Sequence, residues 1–416
     1  MLLAAALPPI TENPNLYAED PGWKNPAERY LQAHEAYADA SCPIPEDGID
    51  HFVYFARDRE SLQNHLLLDH DRFAGAQIMY SWATLAARSK TLASFFGRGG
   101  AIFFVVRRSR IATNTIPPRF SNLAPPRSKS RGAQFLNGLP EPERGVYDFS
   151  QIEEDIAYLR PHGKRLWVQL QDATFSPKYR GSPTYLNTAE FDGGAVPQYT
   201  ESGQHEGWVA KRWNPEVRER FAHLLQALGQ AFDGQLAGIN LQETAIGVAG
   251  ADPSFSPAVY VEAVKANMTA LKEAFPTSAT MQYANFVPGE WLPWEDEGYL
   301  RSIYAHGEAI GVGLGAPDLM PRRKGQLNHA LALMHEGAFT APLGIAVQDG
   351  NYVGATGADF APGEFPSDPE GVDPNARDNL VPMLHAFAKD FLKVDIMFWV
   401  NQEPYFETDV APCFEE

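Results

Sequence analysis

Eight short apolar runs separated by helical patterns set the strongest limit on how this chain can fold. After residues 1–47, which are Pro-rich and irregular, runs at 51–55 (HFVYF), 77–82 (QIMYSW), 166–170 (LWVQL), 236–241, 279–286, 310–314, 344–347 and 395–400 read as strands. Helical patterns fall between them at 60–68, 150–159, 215–231, 257–275, 297–306, 326–335 and 380–392. Strands that alternate with helices specify parallel pairing, since a parallel connection must cross back over the sheet and a helix is the usual crossover. Eight such units close into an α/β, (β/α)8 TIM barrel. The chain of 416 residues is therefore expected to be one barrel over 48–416 behind an irregular N-terminal segment, 1–47. Local signals agree: Pro215 opens a helix where no backbone donor is lost, and Ser150 with Glu153 predicts a capping box.

Two stretches break the rhythm. Residues 86–139 hold ten Lys/Arg and no Asp or Glu, so the remainder of a chain of net charge −18 stands near −28. This long basic insertion after strand two reads as a disordered surface insertion, with a basic arm for an anionic partner or translated non-coding sequence as alternatives. Residues 354–379, rich in Pro, Gly and acids, read as a loop after strand seven.

The net negative charge argues against a nucleic-acid partner, whose phosphates demand a basic footprint, and against an anionic membrane surface. No apolar run reaches the roughly 20 residues of a membrane-spanning helix. The opening MLLAAALPP is short and lacks a basic start, so it does not read as a signal peptide, and the compartment stays open, secretion included. Cys42 and Cys413 allow one bridge joining the two ends of the chain, or two separate thiols. Oligomeric state leaves no mark in the sequence.

Barrel enzymes gather their chemistry at the C-terminal ends of the strands. The polar and aromatic residues there are Tyr80 and Trp82 on strand two, Gln169, Gln171 and Asp172 on strand three, and Gln242 and Glu243 on strand four. Tyr283 and Asn285 follow on strand five, Asp318 after strand six, Gln348, Asp349 and Asn351 after strand seven, and Trp399 and Glu403 on strand eight. Amides and carboxylates hydrogen-bond vicinal hydroxyls while Trp and Tyr pack on a pyranose face, so a carbohydrate is the expected substrate. Glycoside hydrolysis needs two carboxyl groups flanking the scissile oxygen. Glu243 ends a short apolar strand (LAGINLQET) with no evident salt-bridge partner, and burial there would raise its pKa towards a proton donor's range. Asp349 is the expected partner, with Asp318 and Glu403 in reserve. No phosphate loop, HExxH or GxSxG motif occurs, GVGLG at 311–315 falls short of a dinucleotide fingerprint, and no His pair has metal-ligand spacing. Neither cofactor nor metal is expected.

The segment PEPERGVYDFSQIEEDIAYLRPHGKRLWVQLQD (140–172), preceded across the basic stretch by YSWATL (80–85), resembles the second-to-third-strand region of the (β/α)8 glycoside hydrolase superfamily that includes β-galactosidases, cellulases and mannanases. The resemblance implies an acid/base Glu after strand four, which Glu243 matches with Gln242 in place of the customary Asn. It implies a nucleophilic Glu after strand seven, where this chain has Gln348-Asp349, and an aromatic platform on strand eight at Trp399. The alternative is a catalytically silent barrel that binds carbohydrate through Trp82, Trp399 and the amides.

Overall fold

The computed structural model describes residues 30, 32–88, 142–200, 203–248, 250, 252–290, 296–321, 330–354 and 379–415. Its strands β1 Asp50–Tyr54, β2 Phe73–Ser81, β3 Arg165–Gln171, β4 Gly238–Leu241, β5 Ala279–Tyr283, β6 Gly313–Ala316, β7 Leu343–Val347 and β8 Ile396–Val400 pair in parallel in chain order. β1 then pairs with β8 and closes the barrel. The helices are α1 Ser150–Leu159, α2 Pro215–Phe232, α3 Pro257–Ala274, α4 Tyr299–Ile310, α5 Ala330–Glu336 and α6 Val381–Ala386, the last continued by a π turn, Phe387–Leu392. The (β/α)8 fold is thus as expected.

Strand residues alternate between the barrel interior and the helical layer, as pleating requires. Inside, Phe52, Trp167, Phe398 and Tyr283 meet with ring centroids 5.1–6.2 Å apart and form an aromatic floor. Trp167 fits only because β4 begins with glycine: a Cβ on Gly238 would lie 2.5 Å from the indole. Above this floor sits a polar layer. Gln77 Nε2 donates to Asn240 Oδ1 (3.0 Å) and to the Tyr283 hydroxyl (3.1 Å), and the Trp167 indole N–H also donates to Asn240 Oδ1 (2.9 Å). These bonds satisfy groups that would be costly to bury alone.

Several local expectations are corrected. The pattern at 60–68 forms two 3₁₀ turns, Glu60–Leu62 and Leu66–Leu68, rather than one helix. β6 starts at Gly313 rather than 310, because α4 runs on to Ile310 and ends on left-handed Gly311 (φ 71°). No capping box forms on α1: Phe149 occupies the N-cap, stacked on Tyr147, and Asp148 Oδ1 accepts from the Ser150 amide instead (3.1 Å). The long loop after β3 contains a three-stranded antiparallel sheet of Ala173–Thr174, Ala195–Tyr199 and His205–Ala210.

The chain divides into two units, Met1–Ala87 with Pro142–Glu416, and Arg88–Glu141, and the barrel belongs to the first. The expected basic insertion lies outside the described residues beyond Arg88, as does the 355–378 part of the expected loop after strand seven. On either side of the first stretch the chain meets itself, the Asp148 amide donating to Leu85 O at 2.9 Å. Cys42 and Cys413 are joined as a disulfide, Cα–Cα 4.6 Å, which decides between the two readings left open by the sequence.

Candidate active site

At the C-terminal mouth of the barrel, Glu243 follows β4 directly. Asn285, just past β5, donates from Nδ2 to Glu243 Oε2 at 2.7 Å, and the Asn285 amide is fixed by Thr244 Oγ1 (3.2 Å). Beneath the loop, the Arg212 guanidinium donates to the Glu243 backbone carbonyl (3.1 Å) and the Tyr260 hydroxyl (2.7 Å), and Tyr260 in turn donates to Thr244 O (2.9 Å). The backbone carrying Glu243 is therefore held from two sides, and the residue as a whole is half-buried. Burial, then the negative charge of Asp318, push that carboxyl up to about 7 against the pull of Asn285 and Arg212; Glu206 adds to the upward push. A carboxyl in this range is part-protonated at neutral pH, as a proton donor must be.

Asp318 follows β6 and accepts from Asn351 Nδ2 at 3.2 Å. Asn351 is itself clamped, its Oδ1 taking the Gln348 amide (2.7 Å) and the Leu319 amide (3.2 Å), so it orients Asp318 rather than facing a ligand. Asp318 also raises the Tyr283 hydroxyl, whose pKa burial already drives upward. Glu206, half-buried on the middle strand of the inserted sheet, is raised by burial. That sheet begins two residues after β3, where Ala173 pairs with Val209, and is tied to the loop after β4 through the Tyr199 amide and Gly247 O (2.8 Å). Asp349 opens to solvent after β7, and the protein around it pushes its carboxyl up by desolvation. Glu403 is exposed beyond β8.

A raised pKa does not by itself mark the acid. Glu290 is also pushed up to about 7 by burial, yet its two oxygens accept the Tyr299 and Leu300 amides (2.7 and 2.8 Å) and cap α4. Glu243 differs in being at the mouth and in feeling the charge of a second carboxylate, Asp318.

Of the other expected site residues, Gln169 and Gln171 face the interior. Gln169 Oε1 is buried with no hydrogen-bond partner among the described residues, and Gln171 accepts from Arg57. Gln348 is half-buried at the mouth. Five residues take other positions. Tyr80 points outward and donates to Asp155 of α1 (2.5 Å), because Gln77 on the same strand faces inward. Trp82 packs edge-on against Phe221 of α2. Trp399 has the opposite parity to inward Phe398, and its indole donates to His51 Nδ1 (3.1 Å) at the far end of the barrel. Asp172 is locked to Arg212 by two bonds of 2.6 and 2.8 Å, and Gln242 Oε1 accepts the Asp172 and Ala173 amides (3.2 and 2.9 Å). The sequence reading passed over Arg57, Arg212, Glu206 and Tyr54. Tyr54 was accessible to the same rule, since it ends β1; burial and the charges of Asp349 and Glu243 raise its hydroxyl.

A second cluster lies at the N-terminal end of the barrel. Asp47, His51 and His385, distant in sequence, bring their ligand atoms within 4.8 Å of one another. The Trp399 N–H can only donate, so His51 Nδ1 is an acceptor and its proton sits on Nε2, facing Asp47 Oδ2 (3.3 Å). A neutral ring so placed has no lone pair for a metal; the trio is a hydrogen-bonded anchor. Burial opposes ionisation of Asp47, yet bonds from His385, His51 and the Ile49 amide hold it well below the usual carboxylate range. Asp47→Asn is expected to destabilise the fold by about 3 kcal/mol, read from urea unfolding at pH 7. A cavity of about 210 Å³ between Lys164, Arg165 and Gln235 lies at this same end, away from Glu243.

No family model matches this chain, and no curated protein matches it. Among solved structures, it is similar to endo-glycoceramidase II from Rhodococcus sp. in a cellobiose-like imidazole complex, with 10% identity and TM-score 0.43 over 86% of this chain and 75% of that one. It is also similar to the catalytic domain of β-amylase from Paenibacillus polymyxa, with 10% identity and TM-score 0.39 over 90% and 100% of the two chains. A psychrophilic family 10 endo-β-1,4-xylanase matches with 11% identity and TM-score 0.39 over 88% of each chain.

Proposed function

We propose that this protein hydrolyses O-glycosidic bonds of an oligo- or polysaccharide, with Glu243 as general acid/base and Asp318 as the ionised partner. One observation carries the reading: a carboxyl raised to about 7 stands at the barrel mouth, coupled to a second carboxylate that is itself held by an amide donor. In the reaction, Glu243 passes its proton to the glycosidic oxygen as the bond to the anomeric carbon breaks. Asp318 faces the positive charge that develops on the sugar, and water adds its hydroxyl to the anomeric carbon while its other proton returns to the Glu243 carboxylate. Asn285 keeps the Glu243 carboxyl in one orientation throughout. Asp349, at the rim on β7, serves as a ligand to sugar hydroxyls, with Gln348 beside it.

The test is release of reducing ends from a panel of β- and α-linked glycans between pH 4 and 9. Hydrolysis is expected, with kcat/KM falling above about pH 7 as Glu243 loses the proton it must donate. Glycan binding without hydrolysis at any pH would instead select the catalytically silent barrel.

A further inference from the structure

Arg57, which follows β1 at the mouth, is exposed yet held by two contacts. Its guanidinium lies over the Tyr179 ring, 4.1 Å from the centroid, and its Nη2 donates to Gln171 Oε1. The ring and the amide together restrict where the group can sit. A guanidinium has five N–H donors, and among the described residues this one spends a single donor on protein. Among the described residues it has no carboxylate partner, although the chain carries 52 Asp and Glu and the neighbouring Arg59 takes Asp155 and Glu154. The group stands near enough to Tyr54 to act on its hydroxyl, the same hydroxyl that the charges of Asp349 and Glu243 reach from across the mouth. Among the described residues, carboxylates thus follow β4, β6 and β7 at the mouth, and the Arg57 guanidinium follows β1.

We propose that Arg57 recognises the carboxylate of a uronic-acid residue, so that the preferred substrate is a glycan carrying uronate sugars. The inference takes from the proposed function only that the mouth accepts a sugar. A planar guanidinium fork matches a carboxylate in two parallel hydrogen bonds. A single carboxylate also suits the charge of the chain: at net −18, a densely charged polyanion would be repelled, whereas one local anion is held by short-range contacts.

Binding of methyl β-D-glucuronide and methyl β-D-glucoside to the wild type, Arg57→Gln and Arg57→Lys tests this by saturation-transfer NMR titration. Methyl glucoside 6-sulfate serves as a third ligand, and thermal melting checks that each variant is folded. The glucuronide is expected to bind roughly tenfold tighter than the glucoside, the gain of one charge-assisted contact. Arg57→Gln is expected to abolish that difference, and Arg57→Lys to keep only part of it, because lysine retains the charge without the fork. Equal binding of the two glycosides, no glucuronide binding, or a preference that survives Arg57→Gln would overturn the proposal. Tighter binding of the sulfate ester would overturn the uronate assignment. Hydrolysis of neutral glycans without uronide preference would sink this inference and leave the glycosidase reading standing. Uronide preference lost in Arg57→Gln, with no glycan hydrolysed, would do the reverse.

Discussion

Glu243→Gln is expected to lower kcat on a responsive glycan by roughly 10²- to 10⁴-fold, the range for loss of a positioned proton donor. Glutamine keeps the volume and can still accept the Asn285 N–H that now reaches Glu243 Oε2 at 2.7 Å, so the site should stay assembled while the transferable proton is gone. KM should change far less than kcat, because the proton is used in the transition state rather than in binding. The same substitution has a stability signature of definite sign. The folded carboxyl titrates at about 7, above its value in an unfolded chain, so its contribution to stability is present at low pH and is lost as pH rises through 7. Glutamine carries no such penalty. The variant is therefore expected to match the wild type in urea unfolding near pH 4 and to exceed it at pH 8, by roughly 1–3 kcal/mol. An inactive variant of unchanged pH-dependence would mean that Glu243 is ionised at neutral pH and acts in some other way.

Asp318→Asn is expected to have an effect of similar size on kcat, roughly 10³-fold, by removing the negative charge that faces the anomeric centre. It should act at a distance as well. The charge of Asp318 helps hold the proton on Glu243, so any residual activity of Asp318→Asn should fall at lower pH than in the wild type. Asp349→Asn is the informative comparison. Asp349 is solvent-exposed on the β7 rim and is not among the charges acting most on Glu243, so its removal should raise KM more than it lowers kcat. If instead Asp349→Asn abolishes turnover and Asp318→Asn is mild, the partner of Glu243 is on β7.

The barrel was legible in the sequence because its strands are short, apolar and bounded by helices with their own start signals, such as Asn214-Pro215 and Ser256-Pro257. Looking for polar residues at strand ends brought Glu243, Asn285 and Asp318 to one end of the barrel. What that rule cannot supply is parity. Gln77 turning inward obliges Tyr80 to turn outward, and Phe398 packing on Trp167 obliges Trp399 to leave the interior, yet both alternatives look alike in a fully apolar strand. Long-range pairing was equally hidden. Asp172 is consumed by Arg212, 40 residues further on, and Gln242 by the backbone of a sheet that local patterns did not announce. Asp47, His51 and His385 meet only because β1 and the segment before β8 are neighbours in a closed barrel.

Everything in the proposed chemistry turns on Glu243 holding its proton near neutrality, and that can be measured without knowing the substrate. A carboxyl-¹³C titration of glutamate-labelled protein, with the Glu243 signal assigned by its disappearance in Glu243→Gln, should give a midpoint of about 7 in the wild type and a lower one in Asp318→Asn. A midpoint in the ordinary glutamate range, unchanged by Asp318→Asn, would contradict it.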